Sequence, residues 1–267
     1  MKRKKPAGWG PGELPEQHYL VQPRHLAGSG DRRHVTEYLR AAGWKDRSKG
    51  DRVAFAAPDR SVVLGFDPHT PPGGWTISGR ESATQPAWHA TLTPQVPVEI
   101  VAGLTDALTQ PRPAHAPDVW APLRQQKWSR HQGRHVTAVS PDKNTWVRFH
   151  QNSPGQAHWW AGARTEHGRL WDAVFTSTTP MHLIQAFSTA LADPQPVMRP
   201  RGHLPPTRQI RTTSVSVRPS ELRAWEQARL NAARAAVWAR NSLGKRPRTA
   251  PAPSRAQRYA GMNGRMR

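Results

Sequence analysis

The middle of the chain contains an internal sequence repeat, and the second copy lies 83 residues after the first. The turn sequence of Ala57–Arg60 returns at Ser140–Lys143, and the aromatic run Trp88–Leu92 returns at Trp171–Phe175. The recurring positions hold mostly Trp, Phe, Pro and aliphatic residues, which build a core, rather than the His, Asp or Ser residues that do chemistry. The repeat predicts two similar folded units and says little about a reaction.

Each copy predicts four strands followed by a closing helix. The predicted strands are 52–56, 61–66, 74–78 and 88–93 in the first copy and 134–139, 145–150, 158–163 and 171–176 in the second. Because short turns join consecutive strands, an antiparallel meander is favoured over parallel pairing, which needs long crossovers. Pro97 and Pro180 suit the first turn of the helix that follows. We therefore expect an α+β fold of two tandem repeats, each a roughly four-stranded antiparallel sheet backed by its closing helix.

The first repeat is expected at residues 19–111, starting with a short strand at 19–21, and the second at residues 112–194. The apolar helix residues expected to pack onto the sheets recur at the same offset: Ile100, Val101, Leu104 and Leu108, then Leu183, Ile184, Phe187 and Leu191. Residues 34–43 predict a further helix before the first sheet. The second copy either lacks this helix or replaces it with a shorter one over residues 118–125.

The two ends of the chain differ in composition from the repeats. Residues 1–18 are rich in Gly, Pro and polar residues and are expected to form a disordered leader. Residues 195–219 are expected to be extended, and residues 220–241 to form a helix. The basic, proline-containing residues 245–267 are expected to be disordered.

Most of the net charge of +21 lies in the last quarter of the chain. Residues 195–267 hold sixteen Lys and Arg but only Glu221 and Glu226 as acidic residues, whereas the repeats are nearly balanced. This excess is the electrostatic footprint expected for polyanion binding, and nucleic acid is the favoured partner, through weak, salt-sensitive, sequence-independent contacts. An anionic membrane surface is the lesser alternative. The residues expected to make the contacts are Arg223, Arg229, Arg234, Arg240, Lys245, Arg246 and Arg248.

The predicted final helix has a second interpretation. Its arginines do not gather on one face, so they cannot form a single base-reading surface. Leu222, Leu230 and Val237 fall on one side of the helix and, with Trp225, could dock it on the repeats, which would make the helix structural. A related alternative for the whole chain is a protein–protein adaptor whose tail folds onto a partner or onto the second repeat, without a nucleic-acid role.

The chain has no cysteine, which excludes disulfides, thiolate zinc sites and cysteine nucleophiles and fits a reducing cytoplasm. The basic start Met1–Lys5 is not followed by the apolar stretch of an export signal. No run approaches the ~20 apolar residues that span a bilayer. We therefore expect a cytoplasmic protein.

No catalytic constellation or metal-ligand set stands out. His131 and His135 are four apart, as metal ligands on a helix often are, but a glycine between them and the start of a strand argue against a helix. Asp59 and Asp142 are the only acidic pair that recurs, and both follow a proline in a predicted hairpin turn, where Asp accepts backbone hydrogen bonds. We therefore expect no metal, no cofactor and no enzymatic activity.

Five tryptophans of the repeats could form a platform on which bases stack: Trp75, Trp88, Trp159, Trp160 and Trp171. Trp88 and Trp171 alternate with apolar residues and are expected to face the core. Adjacent strand residues point to opposite faces, so one of Trp159 and Trp160 must face away from the core. Trp160 is therefore the candidate partner-binding residue. The sequence predicts a non-catalytic binding protein whose repeats form a platform and whose C-terminal segment associates with nucleic acid.

A series of short motifs recurs in the same order in both copies. In the second copy they are Ser140-Pro141-Asp142, Phe149, Trp159, Trp171, Thr179-Pro180 and Ala190–Pro194; in the first they are Pro58-Asp59, Phe66, Trp75, Trp88, Pro97 and Ala107-Leu108. Their order and spacing resemble a domain-of-unknown-function family, DUF317, found as tandem copies in streptomycete-type actinobacterial proteins. The first copy departs at Gln110-Pro111, where the family prefers an acidic residue before proline. The resemblance covers roughly residues 19–194 and leaves the basic tail outside. It implies a tandem architecture and a bacterial origin, with no catalytic residues to carry over.

Overall fold

The computed structural model describes residues 13–111, 115–133, 135–151 and 157–244. Its helices are α1 (Arg33–Ala41), α2 (Val98–Thr109), α3 (Ala121–Gln125), α4 (Met181–Ala192) and α5 (Pro219–Gly244). Its strands are β1 (Glu16–Gln22), β2 (Lys45–Asp46), β3 (Val53–Ala56), β4 (Val62–Asp67), β5 (Gly74–Gly79), β6 (Trp88–Leu92), β7 (Ser129–Gln132), β8 (Val136–Val139), β9 (Thr145–Gln151), β10 (Ala157–Thr165), β11 (Gly168–Thr176), β12 (Val197–Pro200) and β13 (Arg211–Val217). These strands pair antiparallel, so the α+β class predicted from the sequence is confirmed.

Ten of the strands form one continuous sheet in the order β2-β3-β4-β5-β6-β11-β10-β9-β8-β7. The two repeats meet where β6 pairs with β11, with Ala90 opposite Phe175 and Leu92 opposite Ala173. Each repeat contributes five strands where four were predicted, and the two predicted sheets are joined into one. β6 and β11 are the last strands of their meanders, and their pairing satisfies backbone groups that two separate sheet edges would leave exposed.

The closing helices α2 and α4 pack side by side over the sheet. Gly103 on α2 permits their close approach, since a Cβ at this position would lie 2.4 Å from the Cβ of Ala190 on α4. α1 packs against α2, and α3 packs against α4. Of the two alternatives for the front of the second repeat, the structure has the shorter helix.

A single cluster of buried apolar residues spans both repeats. Seven of the eight closing-helix residues expected in the core are buried, and Leu108 packs against the cluster half-buried. Phe175 on β11 meets Phe187 on α4 with ring centroids 5.0 Å apart in an edge-on arrangement, which is favourable for aromatic rings. The repeats therefore share one core.

The segments that flank the repeats form a second sheet, in the order β12-β1-β13. Residues 16–18, which were expected in the leader, belong to β1, whereas residues 1–12 lie outside the described part of the chain. The buried Arg199 on β12 ties this sheet to α2 through hydrogen bonds of 2.6 and 2.8 Å to Glu99. The segment predicted to be extended thus supplies two strands of the folded body.

Helix α5 lies on α1 and α2. Its Ala233 is buried and its Val237 is half-buried against the core, whereas Trp225 and Trp238 are 58% and 73% exposed. The helix is docked, as the structural alternative required, with Trp225 largely exposed. None of the described helices is long and apolar enough to cross a membrane.

Candidate nucleic-acid interface

Every second residue of the ten-stranded sheet points away from the core, because side chains alternate along a strand. We call this surface the open face. In the second repeat it holds Trp146, Arg148, His150, His158, Trp160, Asp172 and Val174, and in the first repeat Val63, Gly65, Thr76, Ser78, His89 and Thr91. Of the adjacent pair considered from the sequence, Trp159 is buried in the core and Trp160 lies on the open face.

Trp160 is held in place by its polar and aromatic neighbours. Its indole N–H donates to Asp172 Oδ1 at 2.9 Å, and the Trp146 ring stands edge-on to it with ring centroids 6.0 Å apart. The guanidinium carbons of Arg148 and Arg169 lie 5.6 and 5.5 Å from its ring centre, within the range of cation–π attraction. Arg169 also pairs with Asp172 at 3.3 Å. The result is a fixed indole with two arginines beside it.

Gly162 explains how Trp146 fits on this surface. A Cβ on Gly162 would lie 2.6 Å from the Trp146 ring, so the ring lies directly over the glycine backbone. The cross-strand register places Trp146 opposite Gly162 and Arg148 opposite Trp160. Two indoles and an arginine are thereby concentrated on the neighbouring strands β9 and β10.

Three histidine rings stack in a row beside these residues. The ring centroids of His135 and His150 are 4.0 Å apart, and those of His150 and His158 are 4.8 Å apart. Burial and the neighbouring His150 lower the pKa of His158, so it is neutral at pH 7 and gains positive charge only in acid. Lower pH therefore makes the open face of the second repeat more positive.

A cavity of about 430 Å³ opens beside Trp160 at the seam between the repeats. Trp160, Arg169, Asp172 and Val174 line it from the second repeat, and Thr91 lines it from the first. This volume lies within the range of small-ligand pockets, about 300–1,000 Å³. The lining combines an apolar ring, a cation and a hydrogen-bond acceptor.

The arginines that the sequence assigned to nucleic-acid binding do not share one environment. Arg229 donates to both carboxylate oxygens of Asp106 at 2.8 and 3.0 Å and to the His34 carbonyl at 3.0 Å, and it stacks over Tyr38. It therefore anchors α5 to the repeats and is not available to a phosphate while the helix is docked.

The remaining members of that group are placed differently. Arg223 is exposed and pairs with Glu13 at 3.1 Å, and Arg234 is exposed and donates to Asn231 at 3.1 Å. The backbone of Arg240 lies in α5. Lys245, Arg246 and Arg248 lie outside the described residues. Exposed ion pairs contribute only about 0–1 kcal/mol, so Arg223 can exchange Glu13 for another anion at small cost.

A larger cavity, of about 850 Å³, lies along α2 and α4 on the opposite side of the molecule. The charged residues of its lining form ion pairs: Asp106 with Arg229, Glu99 with Arg199, and Arg24 with Asp193 at 2.8 Å. Burial raises the pKa of Asp106 to about 6 even though Arg229 opposes this shift. Burial, helped by Arg229, lowers the pKa of His34 on the cavity wall to about 4.

The recurring aspartates occupy turns. Asp59 accepts from the Ser61 backbone N–H at 3.0 Å and from the Ser61 hydroxyl at 2.7 Å. Asp142 accepts from the Asn144 N–H at 3.2 Å and faces His25 Nε2 at 2.8 Å. Although burial opposes ionisation, His25 and the hydrogen bonds of the turn hold the pKa of Asp142 well below its usual range. Both aspartates hold hairpin turns, and Asp142 additionally fixes the chain before α1.

His131 and His135, the histidine pair with metal-ligand spacing, lie in different environments. His131 is exposed on β7, whereas His135 stacks on His150. Within the described ranges, no group of three or more His, Asp or Glu side chains is arranged to hold a metal ion.

Sequence reasoning missed three residues of the open face: Trp146, Arg148 and Arg169. The signal for two of them was present, because Trp146, Arg148 and His150 alternate with buried residues in a predicted strand, as solvent-facing residues do. Arg169 had no such signal, since it lies at the start of β11, next to the hairpin from β10, where the pairing shifts register after Ala163.

A family model described as SPDY, domain of unknown function (DUF317), matches the chain twice, at residues 56–114 and 139–197. No curated protein and no solved structure matches the chain. The matched regions start at the last residues of β3 and β8 and run through the closing helices, so they include β4 to α2 and β9 to α4. Helix α5 and β13 lie outside both regions.

Proposed function

Because the chain carries two tandem copies of the DUF317 domain, whose function is unknown, we propose from its geometry that it is a non-catalytic nucleic-acid-binding protein. The basic C-terminal segment supplies phosphate contacts of low sequence specificity, and the repeats form the platform from which it acts.

The observation that carries the proposal is how the C-terminal segment uses its arginines. Arg199 and Arg229 are committed to the half-buried carboxylates Glu99 and Asp106. The other arginines whose side chains are described in this segment are exposed: Arg201, Arg208, Arg211, Arg218, Arg223 and Arg234. Such a charge excess exceeds what folding uses and fits a phosphate backbone, whose neutralisation releases counterions.

The absence of catalysis is part of the proposal, and the settings of the candidate groups support it. The recurring aspartates are engaged in turns, and the carboxylates of the larger cavity are paired with arginines. Ser78 and His89 are 2.8 Å apart on the open face, but His89 is exposed and its pairing with a hydroxyl alone does not make a nucleophile.

The test compares two full-length variants with six basic residues each changed to Gln. The tail variant changes Arg223, Arg234, Arg240, Lys245, Arg246 and Arg248. The control variant changes exposed basic residues of the repeats, Lys45, Arg47, Lys49, Arg60, Arg80 and Lys143. Arg229 is left intact in both, so that the docking of α5 is preserved.

We expect the tail variant to bind duplex DNA and single strands more weakly and to flatten the log–log salt slope by a few units, at most ~0.9 for each duplex phosphate that is no longer neutralised. The control variant has the same net charge and should change the slope less. Equal slopes for both variants would contradict a tail-driven mechanism. Full-length protein is preferable to a chain ending at Asp193, because that truncation removes β12, β13 and the Arg199–Glu99 ion pair.

One observation favours a second function, that of a protein–protein adaptor. Trp225 and Trp238 are largely exposed on α5, and exposed Trp residues are enriched in protein interfaces. This alternative predicts that binding to a partner depends on Trp225 and Trp238 and varies little with salt.

A further inference from the structure

We infer that the open face of the second repeat binds single-stranded nucleic acid, with a base stacked at Trp160 and the adjacent phosphates bound by Arg148 and Arg169. This inference rests on the proposed nucleic-acid role and deepens it by assigning a second site, with a different chemistry, to the repeats themselves.

The charge beside Trp160 complements a phosphate backbone. Arg148 and Arg169 lie beside the indole, and Asp172 is the carboxylate next to them. Asp172 is already engaged by the Trp160 N–H and by Arg169. The two arginines therefore outnumber the carboxylate, and this cluster carries a net positive charge at pH 7.

Folding of the sheet does not require these aromatic residues. The strand register of the first repeat places Val63 where the second has Trp146, and Thr76 where the second has Trp160. At the position of Arg148 the first repeat has Gly65. The same sheet forms with small side chains, so the indoles and the arginine serve another purpose than holding the strands together.

The cavity beside Trp160 has a size and lining that fit a base. The cavity beside Trp160 has a volume of about 430 Å³, with Asp172 as an acceptor and Arg169 as a donor on its wall. Arg148 donates to the neutral Thr137 hydroxyl at 3.1 Å, which it can exchange for a charged phosphate. Arg169 pairs with Asp172 through Nη1, is 60% exposed, and has further N–H groups to donate to a phosphate. Bases stack on aromatic and arginine planes in this way when they are splayed from a single strand.

The open face suits single strands better than duplex. Stacking needs the face of a base, which a duplex hides between its neighbours, whereas the half-buried indoles of Trp146 and Trp160 offer an aromatic surface to an unpaired base. Helix α5 does not need an unpaired base, because its exposed arginines would contact phosphates, which single strands and duplexes both present.

The experiment uses the full chain, a fluorescein-labelled twenty-nucleotide oligo-dT and a duplex of equal length. Trp160→Thr introduces the residue that the first repeat carries at the same register, and Met181→Thr removes an exposed apolar side chain at the start of α4, away from both candidate interfaces, as the control. Because stacking is worth about 1–3 kcal/mol per base, Trp160→Thr should weaken oligo-dT binding about 5- to 100-fold. The duplex affinity of Trp160→Thr and the oligo-dT affinity of Met181→Thr should change less than about 2-fold, because surface substitutions away from a binding site have small effects.

Arg148→Gln with Arg169→Gln is the second variant, and it keeps the inference testable if Trp160→Thr lowers stability. It should weaken oligo-dT binding and flatten its salt slope by one to two units, at about 0.7 for each single-strand phosphate that is no longer neutralised. Photocrosslinking with 5-iodouracil should link the oligonucleotide to peptides that contain Trp146 or Trp160.

The outcomes separate the two proposals. If the tail variant loses binding while Trp160→Thr and the double arginine variant keep full oligo-dT affinity, the inference is overturned and the proposed function stands. If Trp160→Thr loses oligo-dT binding and the tail variant does not, the open face is the site and the tail mechanism fails. Equal losses on oligo-dT and duplex for Trp160→Thr would also overturn the inference, as would crosslinks confined to α5.

Discussion

The two repeats share a core and differ in the surface that they present. In the core, Trp88 and Trp171 occupy equivalent positions, and both are buried. On the open face, the equivalent positions hold Thr76 in the first repeat and Trp160 in the second. The positions that recur at the 83-residue offset specify the fold, and the positions that differ are where we propose a binding site on one copy.

The helix side shows the opposite asymmetry. Helix α5 docks on α1 and α2 of the first repeat, where Arg229 meets Asp106. The first repeat therefore carries the basic helix, and the second carries the aromatic open face. The two candidate interfaces lie on different repeats and on different sides of the sheet, which makes them separable by mutation.

The largest expected effect concerns the shared core. Phe187→Ala in α4 should lower the free energy of unfolding by about 3–5 kcal/mol, and Leu104→Ala, at the equivalent position of α2, by about 2–5 kcal/mol, because both leave cavities at fully buried sites. Urea unfolding followed by near-ultraviolet circular dichroism should show one transition that both substitutions shift. Two transitions, each moved by only one substitution, would show that the repeats fold independently.

The second prediction concerns acid stability at the docked helix. Folding lowers the pKa of His34 from 6.5 to about 4, so its contribution to stability is present above pH 6.5 and is lost as the pH falls towards 4. The raised pKa of Asp106 acts with the opposite sign, because the folded state binds that proton more tightly between about pH 6 and 4.

His34→Gln removes the first contribution and leaves the second. Between pH 7 and pH 4.5, the free energy of unfolding should therefore fall about 1–3 kcal/mol less for the variant than for the wild type. An identical fall in both proteins would mean that His34 is not buried as a neutral group.

The third prediction tests the close approach of the closing helices. Gly103→Ala places a Cβ 2.4 Å from that of Ala190 and should destabilise the protein by about 1–2 kcal/mol, since overpacking outweighs the better helix propensity of Ala. The equivalent position in α4 is Ala186, where Ala186→Gly should cost about 1 kcal/mol through helix propensity alone. Urea midpoints give both values, and a Gly103→Ala variant more stable than wild type would show that the helices can separate freely.

The smallest effect is a gain of function by transplanting the open face. Val63→Trp, Thr76→Trp and Ser78→Gly give the first repeat the indoles of the second, with the glycine over which the Trp146 equivalent must lie. Oligo-dT affinity in fluorescence anisotropy should rise a few-fold, as one further stacked base allows. Val63→Thr with Thr76→Val serves as the control. Equal oligo-dT affinities of the two variants would show that indoles on this surface do not contribute to binding.

Local sequence patterns predicted much of the fold. The rule that adjacent strand residues point to opposite faces separated Trp159 from Trp160, and the spacing after Pro97 and Pro180 placed the closing helices. Both patterns depend on residues near one another in the chain, since side-chain direction follows from the backbone conformation of the strand or helix itself. The candidate site was predicted only in part: Trp160 was named, whereas Trp146, Arg148 and Arg169 were not.

The long-range pairings could not be predicted in the same way. Arg229 was assigned to nucleic-acid contacts because its sequence neighbours are basic, but its partner Asp106 is 123 residues away. His25 meets Asp142 across 117 residues, and β1 is enclosed by strands from the C-terminal segment. A periodic pattern of residues along the chain does not indicate which of several charges or strand edges will meet in the folded protein.

The sequence by itself therefore determined two copies of a meander with a closing helix, because the hydrophobic pattern and the turn residues are repeated in order. Only the tertiary structure decided that β6 and β11 join the copies into one sheet, that α5 is fixed to the first repeat, and that two indoles meet two arginines on the second. These arrangements arise from the burial of shared apolar surface and the pairing of exposed edges and charges between distant segments, and both depend on how the whole chain packs.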